Sequence, residues 1–171
     1  MKKLPVLLLV VIGVLFLGPS CTVKLGGALI PANMKTIHVD FFENNAALVV
    51  NNLSTQFTEA LKSRIRNTTK LAIVTGDADA TMSGSITDYN IAPVSVSATA
   101  NNVAPIAGAS RLTITVQVKY VNTLAKKDNF DESFTKFENF SGDINTQEQT
   151  LIADINKQLT EDIFNKAFAN W

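Results

Sequence analysis

The sequence predicts an α+β fold: a two-layer α/β sandwich with two helices packed on one face of a mixed four- to five-stranded sheet. One long segment, RLTITVQVKYVNT at 111–123, alternates apolar and polar residues with the period of two that a sheet with one dry and one wet face requires. Two others, LSTQFTEALKSRI at 53–65 and TQEQTLIADINKQLTEDIFNKAF at 146–168, gather their apolar residues into one helical stripe each. Each of these surfaces must be buried against something, and two helices laid on one sheet face bury all three.

Taken in order, KTIHVDFF at 35–42 sets Ile37, Val39 and Phe41 against Thr36, His38 and Asp40 and is the first strand. In the first helix Leu53, Phe57, Ala60, Leu61 and Ile65 share a face, with Asn51 or Asn52 available as N-cap. KLAIVT at 70–75 is a short strand, and the helix before it predicts a parallel β-α-β crossover back to the first strand. From Ala80 to Ile91 a polar segment carries Met82, Ile86, Tyr89 and Ile91, and Gly84 marks a bulge or a close backbone approach. In the long strand Leu112, Ile114, Val116, Val118 and Tyr120 face the core, while Thr113, Thr115, Gln117 and Lys119 face away. LAKKDN turns the chain into FDESFTKFENF, a partner strand whose phenylalanines slip phase between Phe134 and Phe137 as at a bulge. Thr146 and Gln149 form a capping box for the last helix, where Leu151, Ile155, Leu159, Ile163 and Ala167 recur every four residues over about six turns.

Ahead of this domain, Met1, Lys2 and Lys3 precede a mostly apolar run from Leu4 to Leu17, then Gly18, Pro19 and Ser20, then Cys21, the only cysteine in the chain. A charged start, an apolar middle and a small-residue site form a signal peptide over residues 1–20, whose apolar run from Leu4 to Leu17 is shorter than the roughly 20 apolar residues a spanning helix needs. A cysteine directly after such a site resembles a bacterial lipobox, with Ser20 as the small residue before it and Gly18 where leucine is usual. Cys21 is then the lipid attachment site. A multiply acylated cysteine (palmitate among its chains) holds a protein firmly to a bilayer, since each buried methylene contributes about 0.8 kcal/mol. Residues 21–34 form the lipidated N-terminus and tether, and residues 35–171 one domain.

The full chain balances 15 basic and 15 acidic side chains, and loss of Lys2 and Lys3 leaves a slight acidic excess. That balance gives no footprint for nucleic acid. One histidine and one acylated cysteine cannot build a zinc site, GDADA at 76–80 lacks the later ligands of a calcium loop, and no cofactor motif is present. His38 and Asp40 point the same way on the first strand, but no nucleophile-elbow motif accompanies them, so a solvated histidine beside a carboxylate is expected rather than an enzyme. Lys62, Arg64 and Arg66 near the end of the first helix complement its dipole, or alternatively form a phosphate patch.

FTEALKSRI, RLTITVQVKYVNT and EDIFNKAFANW, with the lipobox and the GGALIP lead-in, resemble the LptE family of lipopolysaccharide-assembly lipoproteins, in a divergent branch. The resemblance spans nearly the whole mature chain and its motifs are structural. It implies a lipoprotein at the periplasmic face of the outer membrane that plugs a large LptD-like β-barrel translocon, helps it assemble and touches lipopolysaccharide. Carried onto this chain, barrel contacts fall on Asn101, Asn102, Thr113, Thr115 and Gln117, and lipopolysaccharide contacts on Arg111, Lys126 and Lys127. Two other readings remain: a stand-alone lipoprotein facing the periplasm that binds a small apolar ligand between helices and sheet, and a hydrolase using His38.

Overall fold

The computed structural model describes residues 30–48, 50–94 and 109–169. The leader, Cys21, and Asn101 and Asn102 within 95–108 lie outside the described residues. Strands β1 (Thr36–Val39), β2 (Glu43–Asn44), β3 (Ala72–Val74), β4 (Ala80–Pro93), β5 (Ala109–Asn122) and β6 (Phe130–Ser141) form one sheet of order β3-β1-β4-β5-β6, with β2 paired to β4. β1 runs parallel to both neighbours, whereas β4, β5 and β6 are antiparallel, so the sheet is mixed. Helix α1 (Leu53–Thr68) makes the expected crossover between β1 and β3, and helix α2 (Glu148–Phe168) returns after β6. The two-residue β2 brings the count to six strands; its ladder with Ser85 and Ile86 is too short to leave a periodicity in the sequence.

The alternation in β5 is realised in full: Leu112, Ile114, Val116, Val118 and Tyr120 are buried beneath the helices. Opposite them lie Leu53, Phe57, Leu61 and Ile65 of α1 and Leu151, Ile152, Ile155, Leu159 and Ile163 of α2, all buried. Each such aliphatic side chain contributes about 1.5–3 kcal/mol on burial. Phe42 joins the layers, edge-on to Phe57 at 5.2 Å, with its backbone N–H donating to the buried Thr58 hydroxyl at 3.1 Å. Arg64 to Glu161 (3.2 Å) ties the two helices, while Lys136 to Asp162 (2.7 Å) and Lys166 to Glu132 (2.8 Å) tie α2 to β6.

Three local expectations are corrected, and Gly84 takes one of its two expected roles. Asn52 precedes α1 but makes no side-chain cap; it takes the left-handed conformation (φ 65°) that asparagine tolerates, and its carbonyl accepts from Gln56 N–H at 2.8 Å. The capping box does not form, because the Thr146 hydroxyl donates to the Asp143 carbonyl and the Gln149 side chain accepts from Gln56. β6 has no bulge: its register with β5 is unbroken, and Phe137 simply lies on the outer face across from Thr113. The irregularity is in β4, between Ile86 and Asp88. Gly84 (φ 156°) is a close approach, where a Cβ would run into the Gln117 carbonyl and lie 2.8 Å from the Phe42 ring.

Candidate functional site

The outer face of β4, β5 and β6, away from both helices, is built from short polar side chains. Register places Ser85 and Ser133 on either side of Gln117, Asp88 and Thr135 beside Thr115, and Asn90 and Phe137 beside Thr113. These groups satisfy one another: Thr115 and Thr135 share a hydroxyl hydrogen bond at 3.0 Å, and Gln117 accepts from the Ser133 hydroxyl while donating to Asp131. Formal charges on this face are confined to Asp88, Arg111, Lys119 and Asp131, so the row of Thr113, Thr115 and Gln117 itself can meet either water or another neutral polar surface at small cost. Thr113, Thr115 and Gln117 are thus brought together on one surface.

Phe137 interrupts this face. It is 45% exposed, and the Arg111 guanidinium carbon lies 3.8 Å from its ring centroid. The Arg111 Nε–H donates to the Asn139 side-chain Oδ1 at 3.0 Å, so hydrogen bond and stack together orient the cation. The sequence reading missed this aromatic, although strict alternation would have found it: Phe130, Phe134 and Phe140 occupy even positions facing inward, and Phe137 alone is odd.

Lys126 and Lys127 are exposed in a 3-10 turn between β5 and β6. Arg111 is near the start of β5 and this turn follows its end at Asn122, a separation of roughly 36 Å of strand at the usual rise. The three basic residues therefore form two sites rather than one. Lys62 and Arg66 both pair with Glu59 (3.5 Å each), and Arg64 pairs with Glu161, so acids on the helices already answer these three cations.

His38 is held at both ring nitrogens, 2.8 Å from the Val74 carbonyl at Nδ1 and 2.8 Å from Asp40 at Nε2. The backbone hydrogen bond first, then the Asp40 carboxylate, raise its pKa above 6.5. Both ring nitrogens are thus engaged, by a backbone carbonyl and by a carboxylate. Asp79, read from sequence as part of an acidic turn, clamps the start of β1. Its carboxylate accepts from Lys35 N–H (2.7 Å), Thr36 N–H (2.9 Å) and the Thr36 hydroxyl (3.0 Å), which lowers its pKa. Tyr89 donates to Glu148 at 2.8 Å, and burial followed by that bond raises its pKa.

Between helices and sheet, buried side chains of both layers form one hydrophobic cluster. A groove of about 1080 Å³ opens at one end of the domain, beside Phe130, Phe134 and Phe168, and the Lys166–Glu132 ion pair lies on its wall. It is an open cleft whose walls mix charged with aromatic and aliphatic side chains. Among the described residues no cluster of His, Cys, Asp and Glu could hold a metal, and no helix is long and apolar enough to cross a membrane.

A family model described as LptE, lipopolysaccharide-assembly, matches residues 34–167. No curated protein sequence matches the chain. Among solved structures, the hypothetical protein CT253 from Chlamydia trachomatis is similar at 10% identity and TM-score 0.55, covering 80% of this chain and 99% of that one. Protein XCC0632 from Xanthomonas campestris is similar at 10% identity and TM-score 0.54, covering 86% of both chains. At these identities the likeness is one of fold. The rare lipoprotein B from Shewanella oneidensis also aligns, at 9% identity and TM-score 0.46, over 77% of this chain and 92% of that one.

Proposed function

Because the chain belongs to the LptE lipopolysaccharide-assembly family, we propose that it is a non-enzymatic outer-membrane lipoprotein that plugs an LptD-like β-barrel translocon and helps it assemble. Residues 1–20 act as the signal peptide, Cys21 carries the acyl chains, residues 21–34 tether the domain, and the domain from residue 35 works at the periplasmic face. The observation that carries this reading is the match over residues 34–167, joined to a sheet face of mutually satisfied hydroxyls and amides. A barrel lumen is polar and wet. A plug must present to it a rigid surface whose polar groups need few new partners, and Thr113, Thr115 and Gln117 meet that requirement, with Asn101 and Asn102 contributing from the adjoining loop.

Arg111 on one side and Lys126 with Lys127 on the other contact lipopolysaccharide as two separate points, since no single headgroup spans the strand length between them. The test is affinity purification of the tagged chain from detergent-solubilised membranes. Recovery of an outer-membrane barrel of much larger mass supports the translocon role; an acylated chain that emerges alone favours the stand-alone lipoprotein instead.

A further inference from the structure

Among the described residues β3 is the end strand of the sheet, three residues long and paired only with β1. An end strand this short has few ladder bonds, so one additional bond is a large share of what holds it. His38 supplies such a bond from a side chain: it is in register with Val74, the last residue of β3, and its Nδ1 reaches the Val74 carbonyl at 2.8 Å. Its Nε2 faces Asp40 at the same distance. Both acceptors, a carbonyl and a carboxylate, lack protons to donate, so each ring nitrogen must carry one. A neutral imidazole has only one N–H, which the Asp40 carboxylate, the stronger acceptor, keeps at Nε2, so that Nδ1 sets a lone pair against the Val74 carbonyl.

We propose that His38 is a pH-sensitive latch on the free end of the sheet, fastening β3 to β1 when the imidazole carries both protons and releasing it when one is lost. The charged groups that face the ring are Asp40, from the segment after β1, which favours the closed state, and Lys62 of α1, which opposes it. Glu59 lies 3.5 Å from the Lys62 ammonium and offsets part of that opposition. β3 presents the Val74 carbonyl and β4 the uncharged Thr81 in register with His38. Raised above 6.5, the His38 pKa makes the latch fully effective below the ordinary histidine value and lost as pH rises through the folded-state pKa. At the other end of β1 the Asp79 clamp has the opposite dependence, being lost only as the solution is made strongly acid. β1 and β3 are thus held best in a window between the two titrations.

His38 is the only histidine in the chain, so the full-length protein, labelled at histidine with nitrogen-15 and carrying an affinity tag without histidine, gives an unambiguous ring titration in detergent micelles. The expected result is a ring that titrates above 6.5 with both nitrogens protonated on the acid side. Amide exchange at Ala72 and Val74, normalised to Ile155 in α2, should become several-fold faster on passing from about pH 6 to about pH 8.5. In Asp40→Asn the ring titration should move down and the exchange step should follow it. A wild-type ring that titrates at or below 6.5, or β3 exchange that is indifferent to the titration, overturns the proposal, and neither wild-type measurement depends on a variant that folds.

Discussion

Replacing Gly84 by alanine should be among the most damaging single-methyl changes in this domain. Gly84 pairs with Val118 in the middle of the long β4–β5 hairpin, and a Cβ there would collide with the Gln117 carbonyl oxygen and press on the Phe42 ring from 2.8 Å. The first obstacle is backbone in the sheet centre, so it cannot swing aside. The second is a buried ring already wedged against Phe57. Overpacking of this kind costs about 1–3 kcal/mol. The φ of 156°, which favours glycine, adds about 1–2 kcal/mol more. A loss of about 3 kcal/mol, at roughly 4 °C per kcal/mol for a domain of this size, lowers Tm by about 12 °C. Differential scanning calorimetry of Gly84→Ala beside Ser85→Ala measures it, the latter a change on the polar outer face expected to stay within about 0.5 kcal/mol. A Gly84→Ala protein melting within about 2 °C of wild type would show that the close approach of β4 to β5 is not as described.

Other outcomes follow from the same geometry. Leu159→Ala, in the centre of the α2 stripe, should cost about 2–5 kcal/mol by chemical denaturation. Asp79→Asn should flatten the acid limb of the stability curve. The carboxyl is held below its ordinary range by Lys35 and Thr36, so its contribution is present above the unfolded-state value and disappears as pH falls through the folded one. Fatty-acid labelling should be abolished in Cys21→Ser, with the protein released from the membrane fraction. Reversal of Arg111 to glutamate, and separately of Lys126 and Lys127, should weaken lipopolysaccharide binding in steps that add, because the two sites share no partner; affinity unchanged by either would remove these residues from the contact.

What could be read from the sequence divides along physical lines. β5 and both helices were legible because one dry face over 10 or more residues imposes a period that nothing else mimics. The β1–α1–β3 crossover followed from element order alone. The caps were not legible: Thr146 and Gln149 take other partners, Asn52 makes no side-chain cap, and only three-dimensional placement decides such competition. Phe137 was misread as core because aromatic residues are expected inside; the Arg111 stack that accounts for its exposure joins residues on different strands. The Asp79 clamp and the His38 bond to Val74 likewise connect residues 36 or more positions apart. For the candidate surface, the Thr113, Thr115 and Gln117 row was visible as one strand's polar phase, while the hydroxyl ladder that completes it comes from β6 and needed the register.

Site-specific photo-crosslinking in living cells tests the translocon role most directly. A photoreactive residue at Thr115 or Phe137, on the outer sheet face, is expected to give an adduct with an outer-membrane β-barrel, whereas one at Asp154, exposed on α2, serves as the reference position. Adducts from both sheet positions, with the Thr115 adduct reduced in a Phe137→Ala background that melts like wild type, are the expected result. A folded, membrane-bound chain that yields no barrel adduct from either sheet position would contradict it.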